Sequence, residues 1–200
     1  MTDAGAPDLS DRPFSWPVVS SQDLHRDAWV VSLREDLVQR PGHPDDTHRR
    51  LVMEHPGAAI VLAVDDGERV CLIRQYRHAA QGLLVELPAG ILDKKGEDPA
   101  VTAARELREE VQLQATDWRL LAVLNPSAGI STELHHIYLA RGLSFADRGD
   151  FEMTGEEADL EVFWAPFDDV LEAVLSRQIQ ESPFVVAVLT YDALRRRGEL

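Results

Sequence analysis

Short apolar runs separated by polar punctuation set the rhythm of this chain. AAIVLAV at residues 58–64 and RVCLIRQY at 69–76 have strand length. They flank Asp65-Asp66-Gly67-Glu68, a hairpin signal because an Asp-Gly pair tolerates positive φ. Ahead of them PFSWPVVSS (13–21) and DAWVVSLREDLVQ (27–39) read as strands, followed by the turn-rich RPGHPDD and a further strand in RRLVMEH (49–55). LLVELP (83–88), WRLLAVLN (118–125), ELHHIYLA (133–140) and DLEVFWA (159–165) continue the series, with a mobile-looking loop at 142–158. Helical periodicity appears at 99–111 and in two closing segments, FDDVLEAVLSR (167–177) and SPFVVAVLTYDALRRR (182–197). The order of elements predicts an α+β domain without internal repeats.

The first helical segment carries the chemistry. Asp98-Pro99 supplies a cap and a proline at the first helical position, and no breaker follows before Val111. Val101, Ala104, Leu107 and Val111 recur at three- and four-residue intervals and predict one buried stripe. On that geometry Glu106, Glu109 and Glu110 share the opposite face, with Glu97 in the preceding loop. Such a face is either an ordinary solvated surface or a cation site. Like charges at this spacing destabilise a helix by a few tenths of a kcal/mol per pair, and magnesium or manganese bound by these hard oxygens would reverse the sign. Arg105 stands where it can orient one carboxylate from within the same turn.

Composition narrows the partners. With 35 acidic against 20 basic residues the net charge is −15, which argues against nucleic acid and against membrane attraction through a basic surface. No apolar run is long enough to span a bilayer. The acidic N-terminal stretch 1–13 reads as a disordered tail rather than a signal peptide. A single cysteine, Cys71, suits a reducing cytoplasm and a packing role.

Glu97, seven intervening residues, and then Arg105-Glu106-Leu107-Arg108-Glu109-Glu110 resemble the Nudix box, G-x5-E-x7-R-E-U-x-E-E-x-G-U with U aliphatic. Two positions depart from it. Gly90 stands one residue too far from Glu97, where Gly96 can supply the bend, and Gln112 replaces the closing glycine that would ease a left-handed cap. Three further fragments, Glu54-His55-Pro56-Gly57, Gln75-Tyr76-Arg77-His78 and Glu86-Leu87-Pro88-Ala89-Gly90, are similar to the ADP-ribose pyrophosphatase branch. Tyr76 is expected in the core, and neither His55 nor His78 is assigned to metal.

The resemblance implies an α/β/α sandwich with a mixed sheet, preceded by an N-terminal β segment. Residues 14–45 would serve dimerisation and 46–197 would form the Nudix domain. It implies Glu106 and Glu110 as principal magnesium ligands, with manganese an alternative. Glu109 would assist, the Ala89 carbonyl would add a hard oxygen, and Glu97 would hold Arg105 or a water-bridged cation. Arg50, Arg77, Glu86 and Gly129 fall at substrate-binding positions. The general base is expected in the downstream loop, at Glu157 with Glu156 in reserve, and Glu109 or Glu133 next in line. The implied activity is magnesium-dependent hydrolysis of ADP-ribose to AMP and ribose 5-phosphate by a cytoplasmic homodimer. The loop 125–131 carries Ala128 and Ile130 where the branch has a proline and an aromatic. Another nucleoside diphosphate sugar therefore remains open as substrate, as does a ligand sensor without turnover.

Overall fold

The computed structural model describes residues 8–200 apart from 154, 156 and 157. Its strands are β1 (Val18–His25), β2 (Ser32–Gln39), β3 (Thr47–Glu54), β4 (Ala58–Ala63), β5 (Arg69–Arg77), β6 (Gly82–Glu86), β7 (Ala89–Ile91), β8 (Leu113–Leu124), β9 (His135–Phe145) and β10 (Glu161–Pro166). The helices are α1 (Pro99–Val111), α2 (Phe167–Leu175) and α3 (Ser182–Arg196). Among the described residues the strands form three sheets, in the orders β1-β2-β3, β10-β5-β6 and β7-β4-β9-β8. The last is mixed, because β4 and β9 run parallel, from Ala58 opposite His135 to Ala63 opposite Ala140.

The period-two pattern of the central strands makes the layers. Ile60, Leu62 and Val64 of the β4 region, Val70 and Leu72 of β5, and Ile137 and Leu139 of β9 face α2 and α3, which contribute Phe167, Val170, Phe184, Val188 and Tyr191. The alternate residues, Ala59, Val61, Ala63, Cys71, Ile73, Tyr138 and Ala140, face α1 through Ala103, Leu107 and Val111. Strands buried on both faces read as continuous apolar runs, and the small side chains of β4 lie on the α1 side. The expected α/β/α sandwich is the architecture observed.

Several local expectations change. The first two strands begin five residues later than their apolar patterns indicate, and both pair in a sheet with β3, which bonds to β2 along its full length. The third strand therefore sits with the N-terminal segment and not in the central sheet. β8 starts at Leu113, directly after α1, because Leu113–Asp117 pair with Arg141–Phe145; β9 accordingly runs through Gly142, where a loop was expected to begin. In the β4–β5 turn the left-handed residue is Glu68, at φ 54, and not Gly67. The Asp65 carboxylate fixes that turn by accepting from the N–H groups of Gly67 at 2.9 Å and Arg69 at 2.8 Å. The Glu68 side chain is tied to Tyr191 at 2.7 Å and to Arg141. Tyr76 is exposed, its hydroxyl 3.0 Å from His78 Nδ1, because it lies on the face of Val70, Leu72 and Arg74 past the end of the strand that the core covers.

α1 ends as the box requires but without its glycine. Gln112 takes φ 56 and ψ 41, and its N–H bonds back to the carbonyls of Arg108 and Leu107. A side chain in this region costs about 1–2 kcal/mol relative to glycine, partly offset because glycine loses more backbone entropy on folding. Gln112→Gly is accordingly expected to stabilise the protein by a few tenths to about 1 kcal/mol in denaturant unfolding. A destabilised variant would show that the Gln112 side chain contributes more than its backbone strain removes.

Candidate active site

α1 is capped by Asp98, whose side chain accepts from Ala100 N–H, with Pro99 in the first turn. The helix is rotated relative to the expected stripe. Val101 is 53% exposed and Ala104 is also exposed, while Thr102, Ala103, Glu106, Leu107, Glu110 and Val111 are buried. Leu107 and Val111 keep their predicted place, but the inward face also includes Glu106 and Glu110, which periodicity alone assigned to the far side. Small residues leave room for the rotation. Ala103 lets the helix approach β4, and Gly90 on β7 lacks the Cβ that would stand 2.0 Å from Glu106 Oε1.

Buried carboxylates need partners, and the sequence supplies them. Glu110 Oε2 accepts from the Ala89 N–H at 2.9 Å, which brings the last turn of the helix against β7. Arg105 lies 2.7 Å from Glu106 Oε1 and donates to Glu109 Oε2 at 3.0 Å, with Asp93 at 3.7 Å. Burial works against charge on Arg105, but Glu106, Glu109 and Asp93 outweigh it and raise its pKa. Glu97 accepts from the Thr102 hydroxyl at 2.8 Å and lies 3.9 Å from Lys94. Arg105, one of the two partners expected for Glu97, lies against three other carboxylates. Gly96, at φ +82, makes the bend that the longer loop needs.

Among the described residues no three His, Cys, Asp or Glu side chains already converge as a metal site. Glu106 and Glu109 turn onto Arg105, while Glu110 turns onto the Ala89 amide. The donor set nevertheless fits a hard divalent cation. Three carboxylates lie on adjoining turns of one helix beside the Ala89–Gly90 backbone, and the space that holds Glu106 exists only because residue 90 is glycine. Cys71 lies beneath this face. Burial, aided by the charge of Glu110, pushes its thiol up to about 12, so it is no nucleophile.

A second polar cluster involves β6 and α3. Glu86 is buried and binds Arg77 through a two-pronged contact, Nε at 3.0 Å and NH2 at 2.7 Å, while Gln75 donates to it at 2.9 Å. Glu181 caps α3 by accepting from Phe184 N–H at 2.8 Å; burial, with the charge of Glu86, pushes it up to about 7. Glu133 is held below the usual carboxylate range by His135, 2.9 Å away, and His55 lies 3.4 Å from the same oxygen. Sequence reading missed Glu181 and His135. Glu181 directly precedes the Ser-Pro pair that starts the helix, and an acid in that place was the available signal.

The remaining sequence-predicted residues are more dispersed. Arg50 is exposed on β3, donating to the Arg49 carbonyl at 2.8 Å, and Gly129 is exposed in the turn before β9. That turn is stitched to β3 by bonds from Met53 N–H to the Ile130 carbonyl at 2.7 Å and from Thr132 N–H to the Met53 carbonyl at 3.0 Å. Glu156 and Glu157 lie outside the described residues.

The NUDIX domain model matches residues 53–185. The chain belongs to the Nudix family. It is 43% identical over 176 residues to the ADP-ribose pyrophosphatase of Mycobacterium tuberculosis, covering 88% of this chain and 83% of that protein. It is 34% identical over 159 residues to the ADP-ribose pyrophosphatase of Bacillus subtilis, covering 80% and 83%. A solved structure titled as an ADP compounds hydrolase superposes with a TM-score of 0.75 at 19% identity, over 96% of this chain and 100% of that one. That likeness concerns the fold. Nudix hydrolases generally use a divalent metal, in keeping with the donor set on α1.

The glycine at position 90 gives a sharp test of how the Nudix helix sits. In Gly90→Ala the new methyl occupies the place of the Glu106 side chain, which is forced out of its position beside β7. Metal affinity and metal-dependent turnover are expected to fall by about ten- to a hundredfold, as for other residues that orient ligands, in protein that circular dichroism shows to be folded. Wild-type metal affinity in this variant would place the carboxylate elsewhere.

Proposed function

We propose that this Nudix protein hydrolyses the pyrophosphate of ADP-ribose, giving AMP and ribose 5-phosphate, with magnesium, or manganese in its place. The observation that carries the reading is the buried carboxylate face of α1 against Ala89 and Gly90, together with 43% identity to an ADP-ribose pyrophosphatase over most of the chain. In this reading Glu106 and Glu110 are the principal ligands, Glu109 assists, and the Ala89 carbonyl adds an oxygen from β7. Glu97 acts at longer range through Thr102 and the start of the helix. When bound, the cation acidifies water and neutralises the diphosphate.

The chain's own groups do the rest. Arg105 shares its guanidinium between Glu106 and Glu109, and so holds their orientation while a cation competes for the same oxygens. Arg77, whose planar fork already spans the Glu86 carboxylate, suits a phosphate equally well; Arg50 and Gly129 complete the substrate contacts. Water attacks one phosphorus, the bridging P–O bond breaks, and the attacking water's proton passes to Glu157, with Glu156 its alternate. The altered loop at Ala128 and Ile130 favours keeping another nucleoside diphosphate sugar as the second reading.

Residues 14–45 would mediate homodimerisation. β1 is exposed along its whole length, and Trp16, Val18, Val19, Leu24, Trp29 and Val30 are exposed apolar side chains on or near it. An edge strand of this kind needs covering. The buried, unreactive Cys71 suits a reducing cytoplasm, and among the described residues no helix is long and apolar enough to cross a membrane.

A panel of diphosphate compounds, assayed with and without magnesium, should show turnover of ADP-ribose only with the metal. Glu106→Gln and Glu110→Gln should abolish it with the fold intact, and Glu157→Gln should lower kcat by about two to four orders of magnitude with a smaller effect on KM. Preference for another sugar nucleotide would select the second reading, whereas tight binding without turnover would mark a sensor. Light scattering is expected to give a mass near twice 22.3 kDa. A fully active monomer would remove the dimer from the account.

A further inference from the structure

The 20 basic side chains of this acidic protein include only two lysines, and they are adjacent, Lys94 and Lys95. Both stand in the loop that is one residue longer than the Nudix box prescribes. Beside that loop lies a cavity of about 330 Å³, walled by Asp93, Lys94, Lys95 and Glu97, with Pro56 and Leu92 as its apolar lining. Backbone bonds fix the frame. Leu92 N–H donates to the Gly57 carbonyl at 3.0 Å, and Glu97 N–H donates to the Lys94 carbonyl at 3.0 Å. The second bond closes a turn whose third residue, Gly96, adopts φ +82.

The charges single out Lys95. Asp93 has Arg105 3.7 Å away, while Glu97 has Lys94 at 3.9 Å and the Thr102 hydroxyl at 2.8 Å. Each carboxylate of the wall thus faces a cation, whereas Lys95 is exposed and pairs with no acid among the described residues. An anion is favoured at that point, in a chain whose net charge of −15 repels one elsewhere.

The lining narrows the ligand. Two ammonium groups on flexible stems suit a phosphate, which they meet as point charges. The Asp93 and Glu97 carboxylates accept from hydroxyls, which a sugar supplies. No aromatic side chain is among the described residues that line the cavity, so a nucleobase would find no ring to stack on. Asp93 also meets the Arg105 that holds Glu106 and Glu109, so the cavity adjoins the carboxylate face of α1.

We propose that the Lys94–Lys95 cavity is a subsite for a sugar phosphate, with the phosphate monoester on the two ammonium groups and the sugar hydroxyls on Asp93 and Glu97. It rests on the reading of the activity for the identity of the sugar: ribose 5-phosphate is the half of ADP-ribose that carries no base.

Calorimetric titration of the full chain with ribose 5-phosphate, without added metal, tests the subsite apart from turnover. Lys95→Ala should weaken binding by about tenfold, on the order of one charge-assisted contact, and Lys95→Arg should restore most of it. Lys94→Ala/Lys95→Ala should weaken binding further. Binding should persist in Glu106→Gln/Glu110→Gln, where the principal cation ligands are gone. In that background inorganic phosphate, ribose and AMP should each bind more weakly than ribose 5-phosphate. Three results overturn the proposal: no binding to the wild-type chain, unchanged affinity in Lys94→Ala/Lys95→Ala, or loss of binding in Glu106→Gln/Glu110→Gln. AMP bound as tightly as ribose 5-phosphate in that background overturns it as well. Failure to turn over ADP-ribose in a parallel assay with magnesium removes the activity reading alone, and the titration still judges the subsite.

Discussion

The bond from Ala89 N–H to Glu110 Oε2 is the constraint around which the site is built. It brings a carboxylate inward from a helix whose neighbouring positions bury Leu107 and Val111 against the sheet. A buried carboxylate without a partner would be strongly destabilising, so strand β7 and helix α1 are locked in one register. Gly90 then has to be glycine for Glu106 to enter beside it. Arg105 offsets the remaining repulsion by sharing itself between Glu106 and Glu109. Apolar packing sets the layers, whereas these polar contacts set the helix rotation within its layer.

That division explains what was legible in the sequence. The strands around Asp65–Glu68 and the three helices follow from apolar runs and caps, because burial on two faces leaves a continuous signal in the chain. The rotation of α1 does not. Val101 and Ala104 fit the period as well as Ala103 does, and periodicity assigns carboxylates outward unless a partner elsewhere in sequence calls them in. The box pattern marked Glu106, Glu109 and Glu110 as a group. Only the fold shows that Glu110 is bound to an amide 21 residues earlier, and that Glu97 belongs to Thr102 and not to Arg105. Edge behaviour was equally hidden: β8 begins at Leu113 because Arg141–Phe145 supply its partners, information absent from the local sequence.

The polar contacts also connect parts of the chain that the layers keep separate. β3 reaches the turn before β9 through Met53, Ile130 and Thr132, so the N-terminal sheet is joined to the segment bearing Glu133. Glu133 is in turn fixed by His135, directly opposite Ala58 of the central strand. Glu86 binds Arg77 on the neighbouring strand, and Glu181 brings the start of α3 near that pair. The first of these links is made by backbone groups; for Glu133 and Glu86, which burial makes dependent on their partners, loss of His135 or Arg77 would leave a carboxylate poorly satisfied.

The central claim is that the inward carboxylates of α1 hold a divalent cation. Thermal unfolding with and without saturating magnesium tests it without any substrate. A ligand at a hundred times its Kd stabilises the state that binds it by about 2.7 kcal/mol. The wild-type melting temperature should therefore rise with magnesium, and that rise should vanish in Glu106→Gln/Glu110→Gln. An equal rise in both proteins would place the cation elsewhere and contradict the account.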